Sequence, residues 1–179
     1  MIHVGTPVET PPVQFHSVLH ARVYQVLNDL KIPFVRVDTD DAITMEDCIA
    51  IADALETPIV KTLLLCNRQQ TDFYLFVTTA DKPFSTKNFS HAMGISRVSF
   101  ASAQQLEDKI GTKVGAASVL GLLHDPDGQV KLVFDRDALE APWYGCTDTT
   151  ASSYMKLPTR DLLERFLPYV RHEAVMLDI

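Results

Sequence analysis

The sequence lacks the features that would assign the chain to a membrane, secreted or polyanion-binding class. No apolar run approaches the roughly 18 residues of a membrane span, and the N-terminal residues show no charged-then-apolar signal pattern. The three cysteines, Cys48, Cys66 and Cys146, are far apart and form no CxxC pair, which argues against a disulfide framework. Sixteen basic against 23 acidic residues give a net charge of −7, which argues against a general nucleic-acid binder but leaves room for one local basic groove. We therefore predict a cytoplasmic protein that makes no membrane contact.

The common catalytic and cofactor motifs are missing as well. GxGxxG, the Walker P-loop, HExxH and GxSxG do not occur. His16 and His20 have the i,i+4 spacing that can hold zinc, but no third ligand is near, so the default prediction is two solvent-facing histidines. The DPDG sequence at 125–128 lacks the remaining ligands of a calcium loop and is interpreted as a turn. No metal and no organic cofactor are predicted.

Apolar spacing and turn signals predict one mixed α+β domain over residues 15–179, preceded by an extended tail at 1–14. Helices are predicted over 16–30, 44–55, 86–93 and 102–111, and from 158 to a stop or kink at Pro168. Strands are predicted over 34–38, 59–66, 72–79, 97–100, 149–157 and 174–178, with 59–79 as a hairpin. The alternating sequence LGLLHDPDGQVKLVFD, residues 120–135, predicts a second hairpin around DPDG. Together they form a mostly antiparallel sheet with flanking helices.

One charge stands inside the most apolar predicted strand, IVKTLLLC at 59–66. Burying the Lys61 ammonium without a partner costs several kcal/mol or more, so it must snorkel, pair with a carboxylate at a sheet edge, or contact an anionic ligand. Two further segments are candidates for a site. GTKVGAASVLGLL (111–123) has a glycine-containing loop that a ligand can approach, and WYGCTDTTASS (143–153) is dense in hydroxyls. From residue types alone, the favoured interpretation of both segments is structural: a glycine-containing turn followed by a Ser/Thr-rich edge strand.

Four stretches of the chain resemble the YbaK/ProX family of trans-editing aminoacyl-tRNA deacylases, and particularly its ProXp-ala (PrdX-like) branch. They are VKTLLL, ADKPFSTKNFSHAMGISRVSFASAQQLEDKIG, GAASVLGLLHDPDGQVKLVFD, and the end from DTTASS through LLERFLPYVRHEAVMLD. The segment RVSFASAQQLEDKIG followed by GAASVLGLLHD is the most specific. The resemblance spans roughly residues 16–179 and implies the barrel-like editing-domain fold of that family.

The resemblance also implies roles for individual residues. Lys61 would lie at the mouth of the editing pocket, and the backbone of Gly115, in the family's GxxxP loop, would help to position the ester and the hydrolytic water. Substrate contacts are expected from Thr62, Ala117, Ser118, Tyr144, Asp148 and Thr149. The chain departs from the family pattern where Val119 replaces proline, Tyr144-Gly145 replace His-Pro, and Asp148 replaces asparagine. An ionised Asp148 facing the pocket would suit a substrate ammonium or would pair with Lys61.

By this resemblance the chain is a trans-editing enzyme that hydrolyses the ester of a mischarged tRNA, with alanine on the proline tRNA as the expected substrate. Its partners would be the tRNA acceptor end and, transiently, prolyl-tRNA synthetase or an elongation factor. The alternative is a non-catalytic module of the same fold that recognises an aminoacyl-adenosine, a tRNA end or a free amino acid. A third alternative is an unrelated small-molecule hydrolase that uses the Ser/Thr-rich strand.

Overall fold

Two sheets form the centre of the computed structural model, which describes residues 2–42 and 44–179. The smaller is antiparallel, with the order β1–β7–β6, where β1 is Val35–Asp38, β6 is Trp143–Thr147 and β7 is Ser153–Pro158. The larger has the order β4–β2–β3–β5–β8, formed by Val98–Phe100, Val60–Asn67, Phe73–Thr79, Val130–Asp135 and Ala174–Leu177. Within it β4, β2 and β3 are antiparallel, whereas β5 runs parallel to both β3 and β8. The predicted α+β class with a mostly antiparallel sheet is confirmed.

Helices form where the sequence supplies caps. They are α1 (Val18–Asp29), α2 (Met45–Leu55), α3 (Thr86–Met93) and α4 (Ala103–Ile110). The predicted capping boxes are present at the starts of α2 and α4, where Thr44 and Ser102 each exchange hydrogen bonds with the third residue of the helix. Glycines in the left-handed conformation end α3 and α4, as the sequence predicts.

The C-terminal helix accommodates Pro168 by a change of pitch. It consists of Thr159–Asp161, a π-helical turn Leu162–Phe166, and Leu167–Tyr169. The amide of Leu167 donates to the carbonyl of Leu162, five residues back. This wider turn relieves the clash between a proline ring and the carbonyl four residues before it, so the helix continues for one residue beyond Pro168.

The second predicted hairpin, over residues 120–135, is wrong. Its first half is a 3₁₀ helix, Val119–His124, and its second half is β5, which pairs with β3 and β8 instead. The Ser118 hydroxyl accepts from the Leu120 amide and caps the 3₁₀ helix. Gly121 packs so closely on α4 that a Cβ there would lie 2.7 Å from the Ile110 carbonyl oxygen. The apolar residues in the first half of the predicted hairpin therefore bury a 3₁₀ helix, not a strand.

Three apolar clusters hold the layers together. The largest packs α1 and the C-terminal helix against both sheets, a second lies under α3, and a third packs α2 against β1 and β7. The N-terminal segment runs beside β1, where Val4 pairs with Thr39 and Val8 with Arg36. Among the described residues, no helix has the length and apolar character that crossing a membrane requires.

Candidate functional site

The candidate site lies where the two sheets meet. Ile59, just before β2, forms an isolated parallel bridge with Gly145 in β6, and the described residues show no wider pairing that would close the sheets into a barrel. A Cβ on Gly145 would lie 2.5 Å from the Pro58 carbonyl oxygen, so only glycine permits this approach. The contact places the start of β2 directly beside β6.

A cavity of about 210 Å³ opens at this junction. Four of the predicted site residues line it: Lys61 and Thr62 from β2, and Gly115 and Ala117 from the loop before the 3₁₀ helix. The remaining walls come from α2, β6 and β7, from the first residue of β2 and the residue before it, and from the residue after β3: Cys48, Ile59, Val60, Ala80, Cys146, Thr147 and Tyr154. The fold thus brings together two segments that the sequence singled out separately.

Lys61 is half-buried, and its ammonium donates a hydrogen bond to the main-chain carbonyl of Lys82. Within residues 2–42 and 44–179, no carboxylate forms an ion pair with it, so the alternative of a carboxylate partner at a sheet edge is not what the structure contains. The nearby carboxylates of Asp135 and Asp137 lie 2.7 and 2.6 Å from the ammonium of Lys82 instead. Lys61 therefore lines the cavity with a main-chain carbonyl, and not a carboxylate, as its hydrogen-bond partner.

The Lys82 ammonium and the Asp135 carboxylate shift each other's pKa values in the segment that bonds to Lys61. Burial by itself would raise the pKa of Asp135, but hydrogen bonds from Lys82 and from the Thr78 hydroxyl (2.7 Å) outweigh it and lower that pKa. The same bonds to Asp135 and Asp137 raise the pKa of Lys82. This network fixes the segment whose carbonyl holds Lys61.

The loop opposite Lys61 is held by β6. Gly115 is exposed and has φ +88°, a conformation that favours glycine, and a Cβ there would meet nothing within 4 Å. The next residue, Ala116, accepts a hydrogen bond on its carbonyl from the Thr147 hydroxyl at 2.8 Å. Ser118 is fully buried as the cap of the 3₁₀ helix, so its hydroxyl is engaged within the protein.

Three predicted substrate contacts on and after β6 lie inside the protein. Tyr144 is 1% exposed and packs edge-on against Phe134 in the largest apolar cluster, with the ring centroids 6.3 Å apart. Thr149 is buried in the turn after β6 with φ +82°. Asp148 neither faces the cavity nor pairs with Lys61, which corrects the prediction for that residue. Tyr144 belongs to the buried part of β6, and Asp148 and Thr149 belong to the buried start of the turn that follows it.

The partners of Asp148 come from α1 and from the turn itself. Its Oδ2 accepts from His20 Nε2 at 2.7 Å and from the Tyr24 hydroxyl at 2.6 Å, and its Oδ1 accepts from the hydroxyl of Thr150 at 2.6 Å and its amide at 3.1 Å. Burial alone would raise the pKa of Asp148, but these bonds hold it below its ordinary value. Asp148 therefore anchors α1 to the β6–β7 turn as a buried carboxylate.

His20 is buried in this network, not solvent-facing as predicted. The main-chain amide of His16 donates to Nδ1 of His20 at 3.1 Å, so the ring proton lies on Nε2 and is donated to Asp148. Both ring nitrogens of His20 are engaged, which leaves neither for zinc.

Several cavity residues were missed by the sequence reasoning, above all Cys48, Cys146 and Thr147. Burial raises the pKa of Cys48, and it raises that of Cys146 to about 12. Both thiols are therefore protonated at neutral pH and form small, uncharged walls, not nucleophiles. Cys146 and Thr147 could have been proposed as site residues, because both lie within the hydroxyl-rich segment WYGCTDTTASS.

Comparison with known proteins gives one consistent result. A family model described as "Aminoacyl-tRNA editing domain" matches residues 39–164. The prolyl-tRNA editing protein ProX of Acetoanaerobium sticklandii is 31% identical over 111 residues, which cover 62% of this chain and 68% of that protein.

Solved structures share the fold at lower identity. A proposed trans-editing enzyme for prolyl tRNA synthetase superimposes with a TM-score of 0.65 at 16% identity, covering 91% of this chain and 98% of that one. A protein described as hypothetical superimposes with a TM-score of 0.66 at 18% identity, covering 87% and 98%. At these identities the structures support the fold alone.

Proposed function

The chain belongs to the aminoacyl-tRNA editing domain family, and on that premise we propose that it hydrolyses the ester of a mischarged tRNA, with alanine on the proline tRNA as its substrate. The observation that carries the proposal is the cavity in which Lys61 faces the Gly115–Ala117 loop. Its side-chain nitrogen has a main-chain carbonyl, that of Lys82, as its hydrogen-bond partner. An anionic or developing-oxyanion group is the complement of such a site.

The reaction needs position and electrostatics more than a protein nucleophile. Water attacks the ester carbonyl carbon, the bond from that carbon to the ribose oxygen breaks, and the ribose oxygen takes up a proton. The neighbouring ribose hydroxyl can relay that proton, so no catalytic serine or thiolate is required. Lys61 acts as the cation for phosphate or for the developing oxyanion, and the Gly115 backbone positions the ester and the water.

The size of the cavity favours a small aminoacyl group. At about 210 Å³ it is smaller than the ~300–1,000 Å³ typical of pockets for drug-sized ligands. Its walls include Gly115, Ala117 and Cys146, whose side chains are small. The relative from Acetoanaerobium sticklandii is named for prolyl-tRNA editing, which supports tRNA(Pro) as the carrier. Discrimination by one methylene reaches only about 10–200-fold, which is why an editing enzyme is useful to a synthetase.

The charge of the protein bears on how the tRNA is held. A net charge of −7 disfavours tight binding along the tRNA body, so we propose that only the acceptor end is bound. Transient delivery by prolyl-tRNA synthetase or an elongation factor would compensate for a weak affinity.

Multiple-turnover hydrolysis of a panel of mischarged tRNAs tests the proposal. Wild type is compared with Lys61→Ala and with Lys87→Ala, a control that removes the same charge from the exposed face of α3. We expect turnover on Ala-tRNA(Pro) that falls at least ~100-fold in Lys61→Ala, the loss typical of removing one positioned electrostatic contact. Lys87→Ala should stay within about threefold of wild type.

The other outcomes separate the alternatives. Retained turnover in Lys61→Ala, with its thermal unfolding unchanged, would contradict the role of Lys61. Turnover on a different aminoacyl-tRNA would keep the reaction and change the substrate. Binding without turnover on any of them would leave a non-catalytic module of the same fold.

A further inference from the structure

The cavity beside Lys61 has one positive charge on its walls and, in the described part of the chain, no carboxylate. Lys61 belongs to β2, in the larger sheet. An aminoacyl ester brings an amino group into the cavity, and that group donates hydrogen bonds whether or not it is protonated. The Lys61 ammonium repels a protonated amino group, so this end of the substrate is best placed at the walls that the smaller sheet forms.

The smaller sheet contributes three side chains to the cavity, those of Cys146, Thr147 and Tyr154. The Cys146 thiol is buried and protonated, and a thiol is a weak acceptor. The Thr147 hydroxyl donates to the Ala116 carbonyl at 2.8 Å, and its oxygen accepts from the Thr149 amide at 3.3 Å. Of these three side chains, Tyr154 is therefore the one whose acceptor is not engaged.

Tyr154 has an enclosed ring and an unpaired hydroxyl. The residue is 4% exposed and packs with Val37, Ile51 and Ile59 in the cluster between α2 and the smaller sheet. Within residues 2–42 and 44–179, its hydroxyl has no hydrogen-bond partner. Whereas the Tyr144 hydroxyl is sealed in the core, that of Tyr154 keeps accessible surface, at the end of a side chain that lines the cavity.

The surroundings of the Tyr154 hydroxyl favour a cation over an anion. Burial is the main cause that raises the pKa of Tyr154 to about 12, so the phenol is neutral at pH 7. Smaller contributions in the same direction come from the Cys48 thiol and from the carboxylates of Asp41 and Asp47. The potential of these two carboxylates attracts an ammonium. The cavity is therefore polarised, with the Lys61 cation on one sheet and a negative potential near Tyr154 on the other.

We propose that the Tyr154 hydroxyl accepts a hydrogen bond from the amino group of the aminoacyl ester and so directs the ester carbonyl toward Lys61. The inference rests on the proposed function, which puts the ester in this cavity. The two ends of the aminoacyl group then meet complementary walls, the amino group at β7 and the carbonyl oxygen at β2. Tyr154 binds and orients the substrate and takes no part in the transfer of protons.

Two substrates that differ only in the amino group test the inference. Ala-tRNA(Pro) and propionyl-tRNA(Pro), in which hydrogen replaces the amino group, are hydrolysed by wild type, by Tyr154→Phe and by Tyr74→Phe. Tyr74 is a matched control, because it is also 4% exposed but lies in the cluster under α3, away from the cavity walls. Each variant is compared with wild type on the same substrate, so the different reactivity of the two esters cancels.

The expected losses follow from the single hydrogen bond that is removed. Tyr154→Phe should lower kcat/KM at least about tenfold on Ala-tRNA(Pro) and less than about twofold on propionyl-tRNA(Pro), which has no donor to lose. Tyr74→Phe should change neither value by more than about twofold. Thermal unfolding of Tyr154→Phe should match that of wild type, because the packed ring is retained.

Binding measures the same contact without catalysis. The stable amides 3′-alanylamino-3′-deoxyadenosine and 3′-propionylamino-3′-deoxyadenosine are titrated into each protein and followed by NMR chemical shifts. Wild type should bind the alanyl amide at least about fivefold more tightly than the propionyl amide. Tyr154→Phe should bind the two amides within about twofold of each other, whereas Tyr74→Phe should keep the preference of wild type.

The outcomes distinguish this inference from the proposed function. Turnover of Ala-tRNA(Pro), with equal losses on both substrates in Tyr154→Phe, would overturn the amino-group contact and leave the proposed function standing. A preference for the alanyl amide that Tyr154→Phe abolishes, in a protein without turnover, would support the contact and overturn the hydrolase. Equal affinity of wild type for the two amides, or binding of neither, would overturn the contact.

Discussion

Asp148, at a position where the resemblance to the family implies an asparagine, offers the sharpest test of the polar network that its buried carboxylate forms. Asp148→Asn keeps the shape of the side chain but converts one acceptor oxygen into an NH₂ group. Each oxygen now accepts from two donors, Oδ2 from His20 and Tyr24 and Oδ1 from the amide and hydroxyl of Thr150. Whichever oxygen the NH₂ group replaces, two hydrogen-bond donors of the protein will then face the NH₂ group, which is itself a donor.

The cost follows from the least damaging orientation of the new amide. If NH₂ faces Thr150, the Thr150 hydroxyl can turn and accept, but the Thr150 amide loses its partner. The bonds from His20 and Tyr24 persist without the charge that strengthens them. The Thr150 amide is only part-buried, so leaving it unsatisfied costs toward the lower end of about 1–3 kcal/mol. The weaker bonds from His20 and Tyr24 add to this cost, so we expect a loss of about 2 kcal/mol in the free energy of unfolding.

The pH dependence has a definite sign. Because the pKa of Asp148 is lower in the folded protein than its ordinary value of 3.8, its stabilising contribution is complete above the unfolded pKa and is lost as the pH falls through the folded pKa. The difference between wild type and Asp148→Asn should therefore be largest at pH 7 and should shrink below about pH 4.

Urea unfolding at pH 7 and at pH 3.5 measures both quantities. Asp178→Asn serves as the control, because its carboxylate is exposed and pairs with Arg136 only at the surface, and it should cost less than about 1 kcal/mol. An Asp148→Asn protein within about 0.5 kcal/mol of wild type at pH 7, or a difference that grows in acid, would refute the reasoning.

Two further substitutions address the buried start of β6, and both are measured by thermal and urea unfolding. The Tyr144 hydroxyl is buried without a hydrogen-bond partner in the described part of the chain, so Tyr144→Phe should leave the free energy of unfolding unchanged or raise it by about 1 kcal/mol. A loss of 1 kcal/mol or more, or a raised KM, would show that the hydroxyl has a partner. Gly145→Ala should destabilise by at least about 2–3 kcal/mol, since its methyl meets a backbone oxygen at 2.5 Å. Gly115→Ala meets only conformational strain of about 1–2 kcal/mol, and equal costs for the two glycines would contradict the close sheet contact.

Features that depend on neighbouring residues in the chain were predictable from the sequence. The capping boxes at Thr44 and Ser102 and the glycine ends of α3 and α4 each involve a few adjacent residues, so their pattern is sufficient. The 59–79 hairpin was predictable for the same reason. Residues 120–135 were not, because alternating apolar residues bury a 3₁₀ turn as well as a strand, and β5 finds its partners in distant strands.

The candidate site was predictable only in part. The charge at Lys61 is conspicuous inside an apolar strand, and the glycine-containing loop at Gly115 is unusual, so both could be singled out. The orientation of Tyr144 and Asp148 depends on the register of β6 with β7 and on the donors that α1 brings to Asp148. Cys146 and Thr147 reach the cavity because Gly145 touches the segment before β2, a long-range contact that no local pattern encodes.

The bridge between Ile59 and Gly145 also has a consequence for the order in which the protein is made. These residues lie far apart in the chain, and contacts of such separation form late because the intervening loop must close first. During synthesis, β2, β3 and α3 can assemble before β6 has left the ribosome, but the cavity has no second wall until then. A partly synthesised chain therefore lacks the completed cavity, which forms only when the domain is nearly whole.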